Sequence, residues 1–102
     1  IDGDITPIWN EERQKMEYHL FYVAHESGSG IKQAVSDRID GSYRFDPRWI
    51  DFEPVACEAP NVWKRIGEDK WVLMYDIFGI NPHNFGFVET SDFVHFKKLG
   101  TL

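Results

Sequence analysis

Tyr18-His19-Leu20-Phe21-Tyr22 is matched by Trp71-Val72-Leu73-Met74-Tyr75 at an offset of 53 residues, and this pairing decides the fold. Outward from it, Ala34-Val35-Ser36-Asp37 lines up with Glu89-Thr90-Ser91-Asp92 at an offset of 55, and Ile1-Asp2-Gly3-Asp4-Ile5 with Cys57-Glu58-Ala59-Pro60-Asn61 at 56. Offsets agreeing to within a turn insertion mark two copies of one supersecondary unit. The polar turns Asn10 to Lys15 and Arg65 to Lys70 absorb the difference, and each copy opens with a carboxylate, Asp2 or Glu58.

Each copy holds short aromatic and β-branched runs separated by Gly, Asn, Asp and Ser clusters, with no helical period sustained for three turns. The first predicts strands near Gly3 to Trp9, Glu17 to Ala24, Ile31 to Ser36 and Tyr43 to Asp46. The second predicts them near Asn61 to Lys64, Lys70 to Asp76, Asn84 to Thr90, and a stub near Phe96. The fold class is therefore all-β, with four antiparallel strands per copy. From Tyr18 to Val23 both alternating faces are apolar, with Tyr18, Leu20 and Tyr22 on one and Phe21 and Val23 on the other. A sheet covered on both sides is implied. Four-stranded units of roughly 50 residues, each buried by its neighbours, describe β-propeller blades, whereas a β-sandwich of about 100 residues is the competing architecture. The repeat favours a partial propeller, one blade over 1–53 and the other over 54–102.

The 102 residues make room for a single domain, and 42% apolar with 16% aromatic content supplies a core and argues against disorder. Seventeen acidic against 11 basic side chains give a formal charge of −6, which repels phosphate backbones, so nucleic acid is not an expected partner. No apolar run approaches the roughly 18 to 20 residues of a membrane span, and no basic, apolar, small-residue start marks a signal peptide. Cys57 alone forms no internal disulfide and leaves the compartment undecided.

Cys57-Glu58-Ala59-Pro60-Asn61-Val62-Trp63-Lys64, then Lys70-Trp71-Val72-Leu73-Met74-Tyr75, then Thr90-Ser91-Asp92-Phe93-Val94-His95-Phe96 together resemble the pattern of glycoside hydrolase family 43. There a Glu-Gly/Ala-Pro strand start precedes a tyrosine-rich strand and a Ser-x-Asp-leucine-x-x-phenylalanine turn. Ile1-Asp2-Gly3 with Tyr18 to Tyr22 looks like the preceding blade of the same five-bladed enzyme, so the resemblance covers nearly the whole chain. Related family 32 enzymes carry Glu-Cys-Pro at the equivalent place and Arg-Asp-Pro one blade earlier. Ile1-Asp2-Gly3 favours family 43.

The resemblance implies an inverting arabinofuranosidase or β-xylosidase acting on plant-type oligo- or polysaccharide, with Glu58 as general acid and Asp2 as the aspartate that tunes it. Inversion needs a protonated carboxyl at the leaving oxygen and an ionised one about 6.5 to 9.5 Å away to activate water. A neighbouring anion disfavours ionisation, so Asp2 is suited to keep Glu58 protonated. Asp4 shares the strand face of Asp2 and is its alternative. The family takes its general base from a blade ahead of Asp2, so the isolated 102 residues are expected to lack it and to be inactive.

Loops His25 to Gly30 and Phe78 to Asn84 should flank the site, where His83, Asn84 and His25 offer hydrogen bonds and Phe78 a stacking face for a sugar. His19 and His95 read as structural, and no histidine pair or Cys/His cluster has metal-ligand spacing. No cofactor is expected of this chain, although the family holds a calcium-type cation on its axis through a histidine from another blade. The Ser36-Asp37 and Ser91-Asp92 pairs read as turn residues that bond the local backbone. A carbohydrate substrate is the expected partner, and uncovered blade faces imply self-association. The family favours a secreted or periplasmic parent. A non-catalytic carbohydrate-binding or structural propeller remnant is the alternative. A propeller phosphorylase is disfavoured, because neither site loop carries Arg or Lys.

Overall fold

Alternating apolar and polar residues between turn clusters produce eight strands: β1 (Gly3–Asn10), β2 (Lys15–Ala24), β3 (Gly30–Ser36), β4 (Arg44–Phe45), β5 (Cys57–Lys64), β6 (Trp71–Ile77), β7 (Asn84–Thr90) and β8 (Lys97–Thr101). The computed structural model describes residues 3–24, 30–49, 57–77 and 84–101, with 24, 57, 58, 84 and 101 described by their backbone alone. The strands form two four-stranded antiparallel sheets, ordered β1-β2-β3-β4 and β5-β6-β7-β8, with none exchanged between them.

Two elements depart from the sequence expectation. Strand β5 starts at Cys57 rather than Asn61 because it is an edge strand, where the missing N–H of Pro60 costs no ladder bond. Between Glu58 and Asn61 it carries a bulge opposite Asp76 to Met74, and Ala59 there takes a φ of 52°. The last strand begins at Lys97, after Phe96, whose ring turns inward onto Trp49 at a centroid distance of 5.2 Å.

Directly opposed residues of paired strands share a face, so the register sorts each sheet into two. In the first sheet Asp4, Phe21 and Gln33 form one row, flanked by Thr6 with His19 and by Val23 with Ile31. In the second, Val62, Leu73 and Val88 form a row, flanked by Tyr75 with Gly86 and by Trp71 with Thr90. These two faces meet. Their core is Phe21, Ile31, Leu73, Tyr75, Ile77, Val88 and Phe93. Burying each large apolar side chain contributes about 1.5–3 kcal/mol, which makes this contact the main source of stability.

The opposite face of the first sheet departs from the expectation of cover on both sides. Ile5, Trp9 and Phe45 are 41, 49 and 52% exposed, and Tyr18, Leu20 and Tyr22 are half-buried. No described strand lies over them.

The register also corrects the repeat. Ser36 stands opposite Tyr18 and Thr90 opposite Trp71, so the third strands correspond at an offset of 54. Ile5 opposite Leu20 corresponds to Val62 opposite Leu73, an offset of 57. The bulge in β5 accounts for the extra residue.

The first strands of the two sheets lie alongside each other, and the half-buried Asp4 carboxylate accepts the Val62 backbone N–H at 2.7 Å. The end of β1 (Ile8 to Asn10) and the start of β6 (Trp71) line one cavity. Strands β1 and β5 therefore run the same way.

Gly86 lies against the ring of the fully buried Tyr75, and a Cβ there would stand 2.6 Å from Tyr75 Oη. Gly86→Ala is therefore expected to lose about 1–3 kcal/mol through forced repacking, read as a lowered urea midpoint. An unchanged midpoint would show that the Tyr75 ring has room to move.

Candidate functional site

At the end where β1 and β5 begin, the bulge and the left-handed Ala59 follow directly after Glu58, whose backbone pairs with Asp76. A bulge at this place re-aims the strand start relative to the ladder. The Glu58 side chain lies outside the described residues. So do Asp2, His25, Phe78 and His83 entirely, while Asn84 is described only as the backbone start of β7, opposite Ile77. Asp4, the alternative to Asp2, is engaged by Val62 as a strap between the sheets.

At the opposite end a cavity of about 620 Å³ opens between the β1–β2 turn and the segment after β7, its walls including Trp71, Phe93, Glu17 and Arg48. Sequence reasoning did not single out the buried polar chain beside it. Gln33 is fully buried and its amide Nε2 donates to the Phe93 carbonyl at 2.9 Å and to Asp46 Oδ2 at 3.3 Å. That leaves Gln33 Oε1 to accept the Nδ1 proton of buried His19 at 2.8 Å. The His19 ring packs on Phe93 at a centroid distance of 4.9 Å, and its Nε2 faces Glu17 at 3.4 Å.

Carboxylates close both ends of this chain. Burial alone would raise the Glu17 carboxyl, but hydrogen bonds from Asn10 and Arg13, with His19 facing it, hold it below its ordinary value. Burial opposes ionisation of Asp46 too. The bidentate Arg48 guanidinium and the Arg48 backbone N–H outweigh it and hold the carboxyl low. On the far side of the cavity burial likewise works against the charged form of Asp92. His95 Nδ1 at 2.7 Å and the backbone N–H groups of Val94 and His95 keep its pKa well below the usual carboxylate range.

Two of the turn residues singled out in the sequence have separate duties. Ser36 Oγ accepts the Arg38 N–H at 3.0 Å, whereas in the second copy Thr90 takes that place, its Oγ1 accepting the Phe93 N–H at 2.9 Å. Asp37 instead pairs with Arg13 and Lys15.

The described end is thus internally satisfied. Among the described residues no buried side-chain nitrogen or oxygen lacks a hydrogen-bond partner, and no three His, Cys, Asp or Glu side chains converge as for a metal ion. A carboxylate held ionised by its own donors neither gives nor takes a proton near neutrality, so Asp46 and Asp92 tie backbone and sheet together. The sequence marks Gln33 only as a member of the alternation Ile31, Gln33, Val35 and Asp46-Pro47 only as a turn-forming dipeptide, and neither signal joins the two side chains.

The chain matches no protein-family model, no curated protein and no solved structure.

The depressed carboxyls of Glu17, Asp46 and Asp92 stabilise the fold fully above the unfolded carboxylate pKa near 4, and that contribution is lost as pH falls through their lower folded values. Asp46→Asn is expected to lower stability at pH 7 by about 1.5–3 kcal/mol and to flatten its decline below pH 4. Urea titrations from pH 7 to pH 2 read both effects, and an unaltered slope would remove Asp46 from the linkage.

Proposed function

We propose that this chain is a two-blade portion of an inverting glycoside hydrolase of the family 43 type, acting on arabinose- or xylose-containing plant oligo- or polysaccharide. Glu58 is its general acid and Asp2 the neighbouring carboxylate that keeps it protonated. One observation carries the reading furthest: two consecutive four-stranded sheets set their first strands side by side and in the same direction. Chain segments entering β1 and β5 therefore arrive at one end of the molecule, and the two copy-opening carboxylates belong to those segments.

In the reaction, Glu58 passes its proton to the glycosidic oxygen as the bond from that oxygen to the anomeric carbon breaks. Water attacks the anomeric carbon from the opposite face and gives its proton to the general base, which in this family stands ahead of the tuning aspartate. The product is the inverted sugar. Loops 25–30 and 78–84 supply the walls for the saccharide, with Phe78 stacking on a ring and His25, His83 and Asn84 bonding hydroxyls.

The test is an NMR titration of the 102-residue protein with arabino- and xylo-oligosaccharides, paired with carboxyl-carbon titration of Glu58. Expected are saturable shifts at Glu58 and both loops, and a Glu58 pKa that falls in Asp2→Asn. No saturable response, or shifts confined to the cavity at the other end, would overturn the assignment. Binding with a Glu58 pKa indifferent to Asp2 would favour a non-catalytic carbohydrate-binding module. Turnover of aryl arabinofuranoside or xyloside that disappears in Glu58→Gln would place the base within these residues as well.

A further inference from the structure

One link of the buried polar chain is satisfied by position but not by proton count. Gln33 directs its amide hydrogens to the Phe93 carbonyl and Asp46 Oδ2, so its Oε1 takes the Nδ1 proton of His19. In the neutral ring that leaves Nε2 a bare acceptor, and the group it meets, Glu17 Oε1 at 3.4 Å, is an acceptor too. Asn10 and Arg13 both donate to the other carboxylate oxygen, Oε2, and supply no hydrogen to Oε1. Among the described residues two acceptors therefore face each other with no donor between them.

This pair lies in the wall of the cavity. His19 is only 4% exposed, yet it lines the cavity, as do Glu17, Trp71 and Phe93. What enters must bring N–H donors, and the surroundings set its charge. Glu11, Glu12 and Asp69, all exposed, line the same cavity. Its two arginines are neutralised within the fold, Arg13 by Glu17 and Asp37 and Arg48 by Asp46. Trp71 takes Lys64 Nζ at 5.6 Å from its ring centroid, so the aromatic wall here is one that receives a cation.

We propose that this cavity binds a small organic cation whose primary ammonium group donates to His19 Nε2 and Glu17 Oε1 together. With the two acceptors 3.4 Å apart, one nitrogen at about 2.8–3.0 Å reaches both. The three ammonium hydrogens suffice for the two atoms, and Trp71 offers an apolar, π-rich wall to the carbon skeleton. A second proton on the ring is the competitor, since it makes Nε2 a donor to Glu17 and closes the link without a ligand. Every group invoked belongs to the two sheets and their connecting segments. The site stands at the end remote from the start of β5 and involves no saccharide chemistry.

Benzylammonium is the probe, and benzyltrimethylammonium, equal in charge but without N–H, is its control. Imidazole nitrogen NMR near pH 8, above the ordinary histidine range, is expected to show ligand-free His19 protonated at Nδ1 alone. Benzylammonium should move the Nε2 resonance saturably, with the backbone amides of Trp71 and Phe93, and the trimethylated control should bind about tenfold more weakly or not at all. Glu17→Gln removes the charge and sets an amide donor beside Nε2, so affinity for benzylammonium should fall by about tenfold or more. Circular dichroism checks the fold, and if that variant fails to fold the ring protonation and the trimethylated control still decide. Ligand-free His19 protonated on both nitrogens, an Nε2 resonance that does not respond, equal binding of the control, or a folded Glu17→Gln that binds as before each overturns the inference.

Discussion

A four-stranded sheet with large apolar side chains on both faces is not stable alone in water, and this constraint governs the molecule. Phe21 and Ile31 on the first sheet and Leu73, Tyr75 and Val88 on the second have no other way to leave solvent than to meet. Their burial, at about 1.5–3 kcal/mol per side chain, far exceeds what the turns or surface ion pairs supply. The exposed pair Arg38 with Asp40 contributes little, whereas losing the Phe21 contact would uncover both sheets at once.

Apolar contact is non-directional, so something else sets how one sheet lies on the other. Two hydrogen bonds that cross the interface do this. Asp4 takes the Val62 N–H at the paired first strands, and Gln33 reaches the Phe93 carbonyl 60 residues away. Each is worth about 0.5–1.5 kcal/mol net, but leaving either group buried and unmet costs about 1–3 kcal/mol, which penalises every slipped arrangement. The apolar core thus stabilises the stack, and the polar bonds select its register.

The strands were legible because period-two alternation and turn clusters are local signals. Six expected strands lie within about two residues of those observed, and the repeat in β2 and β6 holds at its offset of 53. Errors arose where tertiary placement decides. Pro60 reads as a strand breaker until β5 is known to be an edge, and Phe96 reads as a strand residue until its ring is seen to fill the space beside Trp49 and Phe21. The third-strand alignment slipped by one because Ser36 and Ser91 are alike in sequence, whereas Thr90, not Ser91, occupies the capping place. Of the candidate site, Asn84 as the start of a strand was readable, whereas Glu58 falls in the part of β5 that precedes the expected start at Asn61. The link from His19 through Gln33 to Asp46 was not readable, since it joins three strands or turns through side chains that alternation marks only as inward.

The two ends of the molecule differ in what they can do. At the cavity end Asp46 and Asp92 are held ionised by their own donors, and the turns are capped by Asn10, Ser36 and Thr90. That end behaves as a clamp. The strand-start end instead carries the left-handed Ala59 and the bulge that redirects β5, features that disrupt regular pairing and persist only where the surrounding structure holds them. The Asp4 to Val62 bond fixes how β1 and β5 lie along each other, and the bulge ahead of it lets the start of β5 depart from that alignment. The core contact and its two polar straps thus hold the frame independently of the irregular start of β5.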